Sequence, residues 1–212
     1  MSSSSLPLRA GILLLLGAAL IALPLSFRKT SAPPPAPRVF SRSVGPADAP
    51  IQIVEYSNFA CPSCRHAQPM VKALLRKYEG RVLYTFQHFP WVNDSKSIHA
   101  HAAAQCAAAQ GKFWPMHDWL FESQGVWRSP MRQGNEVFLE EAAALGLDPA
   151  AFGTCMEATE TFQQIQNEWL QGQALGVVHT PTLFIQDRMF VGPEQLEAGA
   201  ELWIEELLKK GK

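Results

Sequence analysis

The feature that most constrains the fold of this chain is the spacing of two cysteines, Cys61 and Cys64, in the segment EYSNFACPSCRHAQPM. The residues before them, IQIVEY from Ile51 to Tyr56, alternate and are rich in β-branched side chains, which predicts a strand. The residues after them place apolar side chains at helical spacing, and Gly80 is expected to end that helix. Its buried face is expected to contain Ala67, Val71, Leu74 and Tyr78. The two cysteines therefore lie where a strand passes into a helix.

The helical positions of the two cysteines predict different environments for their thiols. Cys64 lies on the same side of the helix as Val71 and faces the core, whereas Cys61 lies roughly 80° away, in the first turn. The first turn leaves backbone N–H groups without partners and carries partial positive charge, which favours a thiolate. Pro62 suits this turn because the N–H that it lacks would have had no partner. The pattern predicts an accessible Cys61 with a low pKa beside a protected Cys64.

Three chemical interpretations of the pair compete: a metal site, a structural disulfide and a redox pair. Zinc sites combine such a pair with a second pair of Cys or His residues at ligand spacing. Cys106 and Cys155 stand alone in the sequence, and His66 points away from the pair on a helix. A disulfide across so short a loop restricts the unfolded chain little. We therefore favour a redox pair, in which one thiol attacks and the other closes the bond.

Length and charge are those of one folded domain with an additional segment. The chain has 212 residues, of which 47% are hydrophobic, and a formal net charge of −1. Nucleic-acid binding would call for a basic surface stripe, which this composition does not indicate, so no nucleic-acid partner is expected.

The N-terminal region predicts export. After a flank at residues 1–9, residues 10–27 (AGILLLLGAALIALPLSF) carry no charge and reach the lower end of the length that spans a bilayer. A cleaved secretory signal is one alternative, and a buried core helix is another. The segment is long for a signal core and lacks a clean cleavage site, so we expect an inner-membrane anchor, or a secreted protein if it is cleaved. The folded part is then extracytoplasmic, in the oxidising periplasm or cell envelope.

The remaining elements predict an α/β fold. Residues 28–38 (RKTSAPPPAPR) form an extended proline-rich linker, and the folded domain is expected at 39–212. The elements that follow the first strand and helix are a strand at 81–89, a helical block at about 94–176, two strands at 182–185 and 188–191, and a helix opened by Pro193. The buried stripe of that last helix is expected to contain Leu196, Ala200, Trp203 and Leu207. Strands and helices in this order are typical of the α/β class.

Three segments of the sequence resemble the DsbA-like thiol–disulfide oxidoreductases, which are members of the thioredoxin superfamily. VEYSNFACPSCRHAQP resembles their active-site segment, GVVHTPTLFI at 176–185 resembles their second signature, and QCAAAQGKFWPMHDWLFES resembles their inserted helical domain. The resemblance covers roughly residues 45–212. It implies a thioredoxin fold with an inserted helical domain.

The resemblance also implies roles for the matched residues. Cys61 would be the attacking thiolate, and Cys64 would be the buried resolving cysteine of a redox-active disulfide. Pro181 would be a cis-proline beside that disulfide, with Thr180 lining the contact with substrate. Glu55 matches a partly buried acid that assists proton transfer from the buried thiol. The alternative for Glu55 is an ordinary carboxylate at the end of a strand.

The two remaining cysteines, Cys106 and Cys155, both fall in the predicted helical block. An even number of cysteines in an exported protein favours pairing, so we expect a structural disulfide between them. Two free core cysteines are the alternative.

The histidines are weaker candidates for functional residues. His99 and His101 face different directions on a helix and His117 falls on another helix, so no metal site is expected. His88 and His179 are better placed to neighbour the cysteine pair, but surface or packing roles are the simpler interpretation.

Together these features predict a thiol–disulfide oxidoreductase that needs no metal or organic cofactor. In an oxidising cycle, a thiolate of an exported client protein attacks Cys61 of the Cys61–Cys64 disulfide, and a second client thiol resolves the mixed disulfide. A membrane quinone-linked partner would then reoxidise the pair. A reductase or isomerase of the same fold is an alternative, because Ser63 stands where the best-known member has a histidine that stabilises the thiolate. A non-enzymatic, anchored metal carrier is the alternative from another class.

Overall fold

The computed structural model of the protein describes residues 42–132 and 134–210. The predicted flank (1–9), apolar segment (10–27) and linker (28–38) lie outside these residues. Within the described part of the chain, no helix combines the length and the apolar character that a bilayer crossing requires.

The described strands form one mixed sheet, and the strand that precedes the cysteine pair lies at its centre. They are β1 (Ser43–Val44), β2 (Ile51–Ser57), β3 (Val82–His88), β4 (Thr182–Ile185) and β5 (Arg188–Val191). Their order across the sheet is β1-β3-β2-β4-β5, with β2 and β3 parallel and the other neighbours antiparallel. Because β2 and β3 are parallel, the chain needs a crossover between them, and the helix that follows the cysteine pair supplies it.

The helices fall into two groups, one that packs on the sheet and one that is inserted between β3 and β4. They are α1 (Pro62–Lys77), α2 (Ser95–Ala109), α3 (Phe113–Glu122), α4 (Gln124–Trp127), α5 (Glu136–Ala144), α6 (Pro149–Glu157), α7 (Thr159–Ala174), α8 (Gly192–Gln195) and α9 (Glu201–Lys210). Helices α2 to α7 make up the insertion. The predicted α/β layout with an inserted helical block is therefore confirmed.

Two apolar cores meet near the cysteine pair. In one, Ile53 of β2, Val71 of α1 and Ile204 of α9 pack on one another. In the other, the alanine-rich α2 and the aromatic α3 pack against Phe59 and Phe86, and this second core includes both Cys61 and Cys64. The small side chains of α2 let neighbouring helices approach closely. The pair therefore lies at the junction of the sheet and the insertion.

The C-terminal helix differs from the sequence prediction in the side chains that it buries. Leu196 and Ala200 are buried as expected, but the next buried residue is Ile204, while Trp203 and Leu207 are half-buried. The cause is a π-helical turn from Leu196 to Ala200, between α8 and α9. A π turn contains an extra residue, which moves the buried face along by one position.

The insertion contains a disulfide between Cys106 of α2 and Cys155 of α6, the pairing expected from the sequence. Their Cα atoms are 5.7 Å apart, and 49 positions separate them in the chain. The bond fixes α6 on α2 within the insertion.

Candidate active site

The cysteine pair opens helix α1. Cys61 immediately precedes the helix, Pro62 is its first residue, and Cys64 lies in its first turn. Both cysteines are free thiols. Cys64 is fully buried, and Cys61 keeps 7% of its surface exposed. The helical pattern predicted a more exposed Cys61; the difference arises because the insertion and the loop of Thr180 cover it, and a helical wheel contains neither.

The surroundings of Cys61 favour its thiolate. They lower its pKa from 9.0 to about 5, and a hydrogen bond from the thiol of Cys64 is the largest cause. Burial acts in the opposite direction, while the side chain of Thr180 and the backbone N–H groups of Cys64 and Ser63 add to the lowering. These N–H groups belong to the first turn of α1, where they have no partner within the helix. Ser63 thus contributes through its backbone, which any residue at this position would do.

The surroundings of Cys64 favour its thiol. Burial raises the pKa of Cys64 well above 9.0, and the hydrogen bond and negative charge of Cys61 raise it further. The backbone N–H of Asn58 donates to the Cys64 sulfur at 3.5 Å. The two sulfurs form a strongly coupled pair in which one negative charge resides on Cys61.

The turn before β4 brings Thr180 and Pro181 to the cysteine pair. The peptide bond between them is cis, as the resemblance implied. The sulfur of Cys61 lies 3.4 Å from the backbone carbonyl oxygen of Thr180, to which it donates when it is protonated, although 119 positions separate the two residues. The loop of Thr180 therefore forms one wall of the site.

Glu55 lies in β2, beneath α1, and is fully buried. Its carboxylate accepts hydrogen bonds from the hydroxyl of Tyr84 (2.6 Å) and the amide of Gln68 (3.3 Å). Burial raises its pKa above 4.5, although these hydrogen bonds oppose the rise. Glu55 is thus no ordinary solvated carboxylate of a strand end, since burial favours its protonated form.

Ser57 connects Glu55 with Cys64. Its buried hydroxyl makes no well-formed hydrogen bond within the described part of the protein. It nevertheless lies close enough to Glu55 and Cys64 to lower the pKa of both groups. A buried, rotatable hydroxyl between a carboxyl and a thiol can pass a proton from one to the other.

The loop from Asn58 to Ala60 contacts a pair of buried histidines, His88 and His101, of which the sequence placed His88 near the cysteine pair. The N–H of Phe59 donates to Nε2 of His101 at 3.4 Å, Oδ1 of Asn58 lies 3.4 Å from the same nitrogen, and Nδ1 of His101 lies 2.7 Å from Nδ1 of His88. Nε2 of His88 lies 3.4 Å from the side-chain oxygen of Gln105. Burial lowers the pKa of both histidines well below 6.5, so both rings are neutral.

Two residues near the short helix α4 also contact this loop. The amide nitrogen of Gln124 donates to the carbonyls of Phe59 (2.6 Å) and Cys61 (3.1 Å). The guanidinium of Arg128 donates to the carbonyl of Ala60 at 3.1 Å. Nothing in the segment ESQGVWR distinguishes these two side chains from ordinary helix-surface residues, so the sequence offered no signal for them.

Among the other histidines named from the sequence, His117 is buried and its ring centroid lies 5.7 Å from that of Phe59 in the loop. The side chain of His179 is exposed, and Nδ1 of His99 lies 2.7 Å from the carbonyl oxygen of Ser95, one turn earlier in its own helix. His117 pairs with Asp118. Across residues 42–132 and 134–210, no group of three or more His, Cys, Asp or Glu residues could hold a metal ion.

Comparison with known proteins relates residues 39–205 to the thioredoxin family, whose model they match. A Na⁺/H⁺ antiporter NhaA 3 of Salinispora tropica is 34% identical over 159 residues, which are 73% of this chain and 23% of that protein. The chain therefore spans about a quarter of the length of the curated relatives that it matches.

Solved structures share the fold. Wolbachia pipientis α-DsbA1 superposes with a TM-score of 0.70 at 24% identity, covering 80% of this chain and 91% of that one. A periplasmic thioredoxin-like protein of Salmonella enterica serovar Typhimurium superposes with a TM-score of 0.62 at 18% identity, covering 79% and 90%. At these identities the likeness establishes a DsbA-like thioredoxin fold with its helical insertion.

Proposed function

Because this chain belongs to the thioredoxin family and has the DsbA-like fold, we propose that it is a thiol–disulfide oxidoreductase that oxidises exported client proteins. The observation that carries the proposal is the opposite shift of the two thiols. The pKa of Cys61 is lowered to about 5, whereas that of Cys64 is raised well above 9.0. One cysteine is thus ionised and reactive at neutral pH, and its partner stays protonated until it is needed.

The oxidising cycle can be written with these residues. A client thiolate attacks Cys61 of the disulfide, the bond between Cys61 and Cys64 breaks, and a mixed disulfide forms. The departing Cys64 thiolate takes up a proton, for which the buried Glu55 is the donor and Ser57 the relay. A second thiolate of the client then attacks the client sulfur of the mixed disulfide and expels Cys61 as a stable thiolate. The client gains a disulfide, and the enzyme leaves with both cysteines reduced.

The direction of the reaction follows from the stability of the Cys61 thiolate. A thiolate stabilised in the reduced protein makes the disulfide easier to reduce, which makes the protein a stronger oxidant of its clients. A low pKa also makes Cys61 a good leaving group from a mixed disulfide. These two effects support an oxidase over a reductase or isomerase of the same fold.

An extracytoplasmic site of action is part of the proposal. The Cys106–Cys155 disulfide is of the kind that persists in oxidising compartments, and the Salmonella protein of the same fold is periplasmic by name. Residues 10–27 would anchor the protein in the inner membrane, or direct its secretion if cleaved. A membrane partner would reoxidise Cys61 and Cys64. Na⁺/H⁺ antiport, the activity in the name of the NhaA relative, is not proposed for this chain, because the match covers 23% of that protein.

Equilibration of the purified protein with glutathione buffers tests the direction. We expect a reduction potential on the oxidising side, towards the value of about −120 mV that strong oxidases reach. A value near that of reducing thioredoxins, about −270 mV, would overturn the oxidase and favour a reductase. Cys61→Ser is the control, since it removes the couple but leaves the Cys106–Cys155 disulfide in place.

A further inference from the structure

The helical insertion contributes more than a cover for the redox pair. We propose that Gln124 is a positioning residue that sets the reactivity of Cys61 by holding the backbone of residues 59–61. This inference rests on the proposed function only in taking Cys61 as the reactive cysteine. The contacts themselves belong to the loop that precedes helix α1.

Every backbone polar group of this loop has a partner. The N–H groups of Phe59, Ala60 and Cys61 donate to His101 Nε2, Asn58 Oδ1 and the Asn58 carbonyl, at 3.4, 2.8 and 3.0 Å. The three carbonyls accept from Gln124, Arg128 and again Gln124, at 2.6, 3.1 and 3.1 Å. The insertion therefore supplies a partner to each of the three carbonyls and to one N–H, and the Cys61 carbonyl also accepts the N–H of Arg65 in α1 at 3.2 Å.

Gln124 holds a special place among these partners because it uses both hydrogens of one amide nitrogen. These two N–H groups bond the carbonyl oxygens of Phe59 and Cys61, on either side of Ala60, so one side chain fixes the distance between the two carbonyls. Gln124 is itself 94% buried, with 6% of its surface exposed. A buried amide that bridges two carbonyls leaves the loop little freedom to move.

The same bridge has an electrostatic effect on the sulfur of Cys61. Carbonyl oxygens carry partial negative charge, and a loop carbonyl that turned towards the thiolate would raise the pKa of Cys61. The N–H groups of Gln124 and the guanidinium of Arg128 offset these charges. The bridge also keeps Cys61 at the start of α1, where the N–H groups of Ser63 and Cys64 reach the thiolate.

The test compares Gln124→Met with Gln110→Met in the full chain. Methionine keeps the length of glutamine but donates no hydrogen bond, so the carbonyl of Phe59 loses its partner. Gln110 is a matched control, because it too joins backbone groups within the insertion, those of Asp148, and it contacts no residue of the loop. The readouts are the thiolate absorbance of Cys61 against pH and the equilibrium constant with glutathione.

For Gln124→Met we expect the midpoint of thiolate formation to rise by about one pH unit and the glutathione equilibrium to move about tenfold towards the disulfide form. Gln110→Met is expected to change neither. Loss of stability with an unchanged midpoint and equilibrium would overturn the proposal. Because both readouts report on Cys61 itself, they hold whether the protein is an oxidase or a reductase.

Arg128→Met gives a second measurement if Gln124→Met does not fold. Arg128 is partly exposed, at 34% of its side chain, so its loss is less disruptive. Its removal takes one donor from the carbonyl of Ala60 and should move the thiolate midpoint in the same direction, by a smaller amount. An unchanged midpoint in this variant would also count against the proposal.

Discussion

At the scale of single residues, Glu55 and Cys61 show how burial changes what an acidic group does. Both lie out of bulk water, yet their pKa values move in opposite directions. Cys61 meets N–H and thiol donors that favour its charged form. Glu55 also has donors, Tyr84 and Gln68, but burial is the larger effect for this carboxyl. The balance between desolvation and hydrogen bonding therefore decides which group is ionised.

Replacing Glu55 with Gln should stabilise the oxidised protein at neutral pH. The pKa of Glu55 in the folded protein is raised above its unfolded value of 4.5. The protonated carboxyl therefore contributes its full stability below pH 4.5, and this contribution is lost as pH rises through the folded pKa. The amide keeps an acceptor for Tyr84 and carries no charge. We expect the two unfolding free energies to be alike near pH 4 and to diverge by up to about 1.4 kcal/mol per pH unit above it.

Urea unfolding of the disulfide form at several pH values measures this divergence, since that form has no cysteine thiol at the active pair. Glu157→Gln, at an exposed carboxyl of α6, is the control and should follow the wild-type curve. Curves for Glu55→Gln that stay parallel to wild type across this range would contradict a raised pKa.

At the scale of elements, helix α7 is positioned by a glycine. A Cβ atom built on Gly172 would lie 2.7 and 2.8 Å from the ring carbons of Phe89 and 2.9 Å from the ring of Tyr56. Both rings are buried, and they pack edge to face with their centroids 6.1 Å apart. The glycine therefore lets α7 approach the end of the sheet more closely than any other residue would.

Gly172→Ala should destabilise the protein by about 1–3 kcal/mol, because buried aromatic rings must shift to make room for one methyl group. Gly153→Ala, in the middle of α6, is the matched control. Its added Cβ would meet only the side chain of Leu139, at 3.9 Å, and alanine favours the helix by about 0.8–1 kcal/mol. Thermal unfolding of both variants checks the prediction. Equal stabilisation by both changes would show that α7 can move away from the sheet.

Elements were also the scale at which sequence was most informative. The span of β2 follows from the alternation and β-branched residues of IQIVEY, and α1 follows from its apolar spacing and Pro62. These signals are local, so a short window of sequence contains them. The π-helical turn at 196–200 has no such signal, because it depends on how the C-terminal helix packs on the sheet.

At the scale of the whole molecule, the site divides into a part that sequence could predict and a part that it could not. Cys61, Cys64 and the Thr180–Pro181 turn belong to motifs, and their roles could be proposed at once. The residues that hold the loop, Gln124 and His101, lie 63 and 42 positions from their loop partners Cys61 and Phe59. Only the packing of the insertion against the sheet brings them there, and their residue types are common on helices.

A buried polar contact of long range joins Arg42, beside β1, to Glu168 of α7, 126 positions away. Both are buried, and one of the two hydrogen bonds between them measures 2.8 Å. Glu168 also accepts the backbone N–H of His88 at 2.7 Å. This ion pair fixes the start of the described domain and the last helix of the insertion to the same end of β3.

A double-mutant cycle on Arg42 and Glu168 tests whether this pair organises the molecule. Arg42→Met or Glu168→Gln alone leaves one partner without its counterpart in the interior, at an expected cost of about 3–5 kcal/mol. The double variant leaves no unpaired charge, and glutamine still accepts from His88. We therefore expect the double variant to lose much less stability than the two single losses added together.

Denaturant unfolding of the four proteins gives the coupling energy, with Glu206→Gln as a surface control. Glu206 pairs with Lys210 on the exposed side of α9, where solvent already screens the charges, so its loss should leave the midpoint nearly unchanged. Additive losses for Arg42 and Glu168 would mean that each is held by other groups. A strong coupling would mean that the insertion is tied to the sheet at two places, by this ion pair and by Gln124 at the redox loop. The ion pair would then also stabilise the redox loop, because Gln124 can hold the loop carbonyls in place only if the insertion that carries it does not move.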